Sequence, residues 1–362
     1  MKIAFFNWRD IKNPLAGGAE IYNHRILKEL VKRGHKVTIF TSTFPGCINH
    51  EFIDGIEHTR YANRFFIYPK SYFCYKKHIQ GKYDIIIEGI NGVPFFTKLF
   101  AQEKVIPLIY QLTRKNWYSG LPFPFAFFGF HLEDSMLRVY KKEPTLTISN
   151  STRADLEKLG FEHVTIIYAA ADAIPPKKII KEKNPTIIYL GRLTKSKQVD
   201  HVLHAFKLIA EHKKNTQLWI VGDGSEKQNL IKLAKKLSIS TKTTFFGKVT
   251  QKKKTELLSK AHIMLFPAVH EGWGLTVLEA NMCGTPVIGY NVHGLRDSIE
   301  DGVNGHLVEN GDIATLTNST LNLLQNTKNL NQLSIAAIKL SKKFTWSKTS
   351  KNFLSFLKGV IE

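Results

Sequence analysis

Short, continuously apolar runs alternate with helix-length segments along most of this chain, and that alternation restricts the fold more than any other feature. Residues 2–7 read as a buried strand, a glycine-containing loop follows, and residues 18–33 read as a helix that Gly34-His35 closes before the next strand at 36–40. Further apolar runs at 84–88, 105–110, 145–149 and 164–168 have the length of strands. Strands that are apolar on both faces need helices on both faces, which is the condition of a parallel, doubly wound α/β sheet. The rhythm breaks at 171–185, a proline- and lysine-rich stretch with little to bury, and restarts with strands at 186–190, 217–221, 243–246, 262–267, 286–289 and 306–308. The expected organisation is therefore an N-terminal domain over 1–172, a linker over 173–185 and a C-terminal domain over 186–345. An amphipathic helix over 346–362 is expected to pack across the domains. A length of 362 residues suits two domains. Ligands of such sheets bind beyond the carboxyl ends of the strands, so a cleft between the halves is the expected site.

Composition narrows the function classes. Cys47, Cys74 and Cys283 are too dispersed for a disulfide framework or a zinc site, which favours a reducing compartment. The first residues turn polar too early for a secretory signal, and no run reaches the roughly 18–20 apolar residues of a membrane span. A cytoplasmic protein is expected. The formal charge is +21, and residues 1–170 hold 23 basic and 15 acidic residues, so both halves share the excess. Such a surface attracts nucleic acid, anionic membranes and anionic small ligands alike. No nucleic-acid recognition module is visible, and the basic residues are not interleaved with stacking aromatics in a repeated pattern. A solvated lysine-rich surface and a membrane-facing patch both remain open.

The most informative chemistry lies between His262 and Glu279. A strand ends near Pro267, glycines at 272 and 274 flank Trp273, and a helix begins near Leu275-Thr276. Free amides and the positive dipole end make that helix start an anion site. Glu279, four residues beyond Leu275, projects near the same place, while Glu271 sits in the loop. Amides for phosphate and carboxylates for hydroxyls are what a nucleotide sugar requires.

Glu271 and Glu279, followed by Cys283-Gly284-Thr285-Pro286-Val287-Ile288-Gly289 and Asp301-Gly302-Val303-Asn304-Gly305, resemble the signature of retaining glycosyltransferases of the glycogen synthase and sucrose synthase type (glycosyltransferase group 1). Gly17-Gly18-Ala19-Glu20, Gly191-Arg192-Leu193 with Lys197, and Val221-Gly222-Asp223-Gly224 extend the resemblance through most of the chain. It implies the GT-B fold, two Rossmann-like domains facing a central cleft. It also implies a nucleotide-diphosphate sugar donor and transfer of a hexose, with retention, to a glycan, lipid-linked or other hydroxyl acceptor.

By that resemblance Arg192 and Lys197 bind the donor diphosphate, a role their charge suits because they would neutralise the departing phosphates. Lys195 is a nearby alternative, and Gln198 stands where relatives carry glycine after the lysine. Glu271 would contact the transferred sugar and Glu279 the ribose. Gly191, Gly274, Leu275 and Thr276 would surround phosphate and sugar, Val249 would lie under the base, and Gly17 and Gly18 would offer amides to the diphosphate or the acceptor. Many relatives carry a histidine just before the position of Gln111. Tyr110 stands there, and Tyr110 and His131 are the candidate sugar contacts. Front-face attack, with a donor phosphate oxygen taking the acceptor proton, needs no protein nucleophile. The chain contains no Asp-x-Asp motif, so neither a metal nor another cofactor is expected.

The aromatic run Phe123–Phe130 reads first as a proline-started helix buried in the core, and alternatively as a contact with a membrane or lipid-linked acceptor. Competing functions are a nucleotide-sugar 2-epimerase, a degenerate transferase that binds donor without turnover, and a basic nucleic-acid-binding protein.

Overall fold

The computed structural model describes residues 1–120, 122–172 and 179–362; positions 173–178 of the expected linker lie outside the described residues. The chain forms two compact units, residues 1–169 with 345–362 and residues 170–344.

Unit 1 holds an eight-stranded sheet of β1 (Lys2–Phe6), β2 (Lys36–Ser42), β3 (His50–Ile53), β4 (Ile56–Ala62), β5 (Ile85–Ile90), β6 (Lys104–Ile109), β7 (Thr145–Thr147) and β8 (Val164–Ile166). Their order is β3-β4-β2-β1-β5-β6-β7-β8, and only β3 runs antiparallel to its neighbour. The central strands are as apolar as their burial demands: Ile85, Ile86 and Ile87 are wholly enclosed. The sequence reading passed over the β3–β4 hairpin because its residues are polar and it lies at the sheet edge. Its turn, Asp54-Gly55 with both residues at positive φ, is the Asp-Gly signal of a tight hairpin. The last helix, Trp346–Ile361, groups with unit 1: Phe353 and Leu357 are buried, Trp346 packs 6.2 Å from Tyr22, and the Thr349 hydroxyl donates to the Tyr168 carbonyl at 2.9 Å.

Unit 2 holds six parallel strands, β9 (Thr186–Leu190), β10 (Gln217–Val221), β11 (Thr243–Gly247), β12 (Ile263–Phe266), β13 (Val287–Tyr290) and β14 (Gly305–Val308), in the order β11-β10-β9-β12-β13-β14. This is the dinucleotide-fold order, with the direction of growth reversing between β9 and β12.

One expectation is overturned. The aromatic run does open a helix, Phe125–Arg138, after Pro124, but that helix is not buried: Phe123, Phe125, Phe127 and Phe128 are all exposed, and only Ala126, Glu133 and Leu137 face inward. Phenylalanines at 123, 125, 127 and 128 do not fall on one helical stripe, so a single helix cannot turn them all to a core.

Backbone lacing fixes the carboxyl ends of β9–β11. Gly191 N–H donates to Val221 O at 3.0 Å, Leu193 N–H to Asp223 O at 2.9 Å and Gly222 N–H to Gly247 O at 2.9 Å. A Cβ on Gly222, which has φ +138°, would lie 1.9 Å from Gly191 O, which is why glycine occupies that position. Gln198, by contrast, holds a left-handed conformation (φ +45°) without being glycine. Left-handed backbone costs a non-glycine residue about 1–2 kcal/mol. Gln198→Gly is therefore expected to leave stability unchanged or raise it by up to about 1 kcal/mol, and Gln198→Val to lower it by about 1–2 kcal/mol. Urea unfolding of both variants checks the pair.

Candidate functional site

Where a parallel sheet reverses its growth, the loops leaving two neighbouring strands diverge and open a crevice. In unit 2 those loops follow β9 and β12. The first carries Gly191, Arg192 and Lys197; the second carries Glu271 and ends at Gly274. Val269 N–H donates to Ser196 O at 3.1 Å and joins them. Across this join the Lys197 ammonium is hydrogen-bonded to Glu271 Oε1, and both side chains are more than four-fifths enclosed. The same ammonium lies 5.7 Å from the Phe266 ring centre. Arg192 is exposed, and among the described residues its guanidinium has no ion-pair partner; its carbonyl accepts the Tyr189 hydroxyl at 3.0 Å.

The loop after β13 closes the other side. Glu271 N–H donates to His293 O at 3.1 Å, and a Cβ on Gly294 (φ +76°) would lie 2.2 Å from Glu271 O. Gly274, at φ +81°, turns the chain into the helix Leu275–Met282. The first amides of that helix, Leu275 and Thr276, have no intrahelical acceptor. Among the described residues the buried Thr276 hydroxyl has no hydrogen-bond partner. Glu279 follows one turn later, and its carboxylate pairs with Lys254 of the helix Gln251–Lys260. Burial pushes the Glu279 carboxyl above its usual range; Lys254 opposes that shift and the nearby Asp172 charge adds to it. Sequence reasoning missed Lys254. Its signal was the run Lys252-Lys253-Lys254 just beyond the loop assigned to the base, in which Val249 is half-buried against the core.

Unit 1 holds the other candidates. Gly17 N–H donates to Glu20 Oε2 at 2.6 Å, and Gly18 begins the helix Gly18–Lys32. The other oxygen of Glu20 accepts from Arg9 Nε at 3.2 Å, so this glycine turn is braced by a buried ion pair that the sequence reading did not identify. Tyr110 is buried, its ring edge-on to Tyr22 and its hydroxyl donating to Asn23 Oδ1 at 2.6 Å. Burial raises that phenol far above its usual pKa, with Asn23 opposing. His131 stands exposed on the helix Phe125–Arg138, its ring 4.2 Å from that of Phe127. Arg114 N–H donates to Glu133 at 2.8 Å and its guanidinium pairs with Asp134, which ties the segment after β6 to that helix. The structure thus gathers Gly191, Arg192, Lys197, Glu271 and the Gly274–Thr276 turn at one switch point, with Glu279 a helical turn away. It holds Tyr110 inside unit 1 and His131 on its surface.

Residues 171–340 match the family model for glycosyl transferases group 1, and residues 16–173 match that for glycosyltransferase family 4. The chain is 26% identical over 336 residues to the N-acetyl-alpha-D-glucosaminyl L-malate synthase of Bacillus anthracis, covering 86% of each. It is 31% identical over 177 residues to a D-inositol 3-phosphate glycosyltransferase of Frankia alni, 46% of this chain and 44% of the relative. Among solved structures, sucrose-phosphate synthase from Thermosynechococcus elongatus superimposes with a TM-score of 0.84 at 19% identity over 99% of this chain and 98% of that one. Anabaena HepE in complex with UDP and glucose gives 0.76 at 16% identity, over 99% and 100%. These neighbours share the GT-B fold of two parallel-sheet domains. The two family models together run from residue 16 to residue 340, and the chain belongs to the group 1 glycosyltransferases.

Proposed function

We propose that this glycosyltransferase moves a hexose from a nucleoside diphosphate sugar to a hydroxyl of a glycan or lipid-linked acceptor, with retention and without a metal ion. The observation that carries the reading is the enclosed Lys197–Glu271 pair beside the exposed Arg192 and the helix start at Gly274. A donor diphosphate arriving at the two cations would compete with Glu271 for Lys197. The freed carboxylate could then accept hydrogen bonds from sugar hydroxyls, and Arg192 with the first helix amides would take up the negative charge that develops as the diphosphate leaves. Glu279, kept close to neutralised by Lys254, would receive the ribose hydroxyls, and Val249 would lie beside the base.

Retention follows if the acceptor attacks the face the diphosphate is leaving and gives its proton to a phosphate oxygen. Glu271 is held by a cation, which suits recognition better than nucleophilic attack. Arg192 and Lys197 supply the charge neutralisation that a divalent cation supplies elsewhere, and this supports metal independence. The exposed phenylalanines of the helix Phe125–Arg138 support a lipid-linked acceptor met at a membrane face. The donor named in the HepE structure, UDP with glucose, makes UDP-glucose the first donor to test. A second reading, donor binding without turnover, draws on Tyr110, whose hydroxyl is occupied by Asn23.

Arg192→Ala and Glu279→Ala are each expected to cut transfer at least about 100-fold, Arg192→Ala by removing a transition-state charge contact and Glu279→Ala by losing the ribose contacts that position the donor, with little change in unfolding midpoint. Near-normal rates in both would sink the site assignment. A panel of nucleoside diphosphates should contain one that raises the thermal midpoint, since ligand at about 100 times its Kd stabilises by about 2.7 kcal/mol. Excess EDTA should leave the transfer rate unchanged, and donor consumption over a range of acceptors separates turnover from binding alone.

A further inference from the structure

From His58 to Tyr83 the chain contains no carboxylate, yet it carries Arg60, Arg64, Lys70, Lys76, Lys77 and Lys82. Within this stretch, one face of residues 63–79 is pinned to unit 1. Ile67, Cys74 and Ile79 are buried, the Ser71 hydroxyl donates to Phe95 O at 3.2 Å, and the Tyr75 hydroxyl donates to Glu103 at 2.8 Å. The other face is exposed and aromatic: Phe65 is 68% accessible, Phe66 55%, Phe73 69% and Tyr72 42%. Three of these four rings have a cation beside them, and Phe73 packs edge-on to Tyr72 with ring centres 5.6 Å apart. Arg64 lies 4.7 Å from the Phe65 ring centre, Lys70 5.9 Å from Phe66 and Lys76 5.8 Å from Tyr72.

We propose that the outer face of residues 64–77 is a docking surface for an anionic lipid bilayer, separate from the exposed helix Phe125–Arg138. Three protruding phenylalanines offer apolar area to the acyl boundary, while Arg64, Lys70, Lys76 and Lys77 meet the anionic headgroups. The lysines and the absence of any carboxylate argue against a protein partner, because protein interfaces are depleted in lysine. Single-stranded nucleic acid is recognised in grooves that track its backbone, and these rings stand clear of the surface instead. The pinned inner face means that docking needs no unfolding of unit 1.

The test is co-sedimentation of the full chain with phosphatidylcholine vesicles, plain or with about 30% phosphatidylglycerol. The expected result is binding that requires phosphatidylglycerol and weakens in about 0.5 M salt. Both F65S/F66S/F73S and K70E/K76E/K77E are expected to lower the partition coefficient at least about tenfold while keeping the wild-type thermal midpoint. F125S/F128S serves as the comparison, and under the proposal it retains the phosphatidylglycerol dependence. The proposal is overturned if the triple phenylalanine variant partitions within about twofold of the wild type, if the loss is confined to F125S/F128S, or if the segment captures single-stranded DNA in preference to vesicles. Nucleotide binding, read by thermal shift, does not depend on this surface, so failure here leaves the transfer reading standing.

Discussion

A parallel sheet covered on both faces has almost nowhere to place polar chemistry except beyond its strand ends. In unit 2 the strands β9, β12 and β13 are buried throughout and carry no charged residue, so charge appears only beyond their ends. The residues there must then satisfy their own backbone. They do so largely by bonding loop to loop, from Gly191 to Val221, Leu193 to Asp223, Val269 to Ser196 and Glu271 to His293. The consequence is rigidity where side chains need to be aimed. Arg192, Lys197 and Glu271 extend from loops that are mutually fixed, which is the preorganisation that charge stabilisation requires.

The same constraint explains why glycine is dense here. Gly222 and Gly294 each bring one loop's backbone against another's carbonyl, at separations a Cβ would violate. Gln198 breaks that pattern at φ +45°, directly after Lys197, and so places strain beside the central ion pair. Strain kept at such a position is tolerated when the surrounding bonds over-determine the loop, as they do on both sides of it.

How much could be read in advance differs between the units. Apart from the polar β3–β4 hairpin, the strands of both sheets were legible because their apolar runs are continuous, and the glycine–glutamate motifs led to the switch point of unit 2. What escaped were partners supplied by long-range folding: Lys254 for Glu279 comes from another helix 25 positions away, and Arg9 for Glu20 depends on how a loop closes. The Phe125–Arg138 helix departs from expectation because its phenylalanines, though apolar, do not share one helical face. Tyr110 shows the limit of motif transfer: position in the sequence marks the strand end, but whether a side chain faces outward depends on packing against Tyr22 and Asn23.

Burial also changes what the charge count means. In unit 1 the carboxylates of Asp10, Glu20, Glu88 and Glu133 are all nearly inaccessible. All four serve backbone amides: Asp10 takes Lys12, Glu20 takes Gly17, Glu88 takes Phe95 and Thr97, and Glu133 takes Thr113 and Arg114. Burial pushes the Glu88 carboxyl up against the hydrogen bonds of Thr97 and Tyr140. For Asp10 burial acts in the same sense, but His58 and Arg60 outweigh it and hold the group below its usual value. Among the described lysines and arginines of the unit only Arg9 and Arg60 are buried. Acids are thus drawn inward as loop braces while lysines stay outside, so the surface of unit 1 is more positive than its formal count. That asymmetry arises from the fold's need for backbone acceptors, and it adds to the anion-attracting exterior that the basic stretch between His58 and Tyr83 already provides.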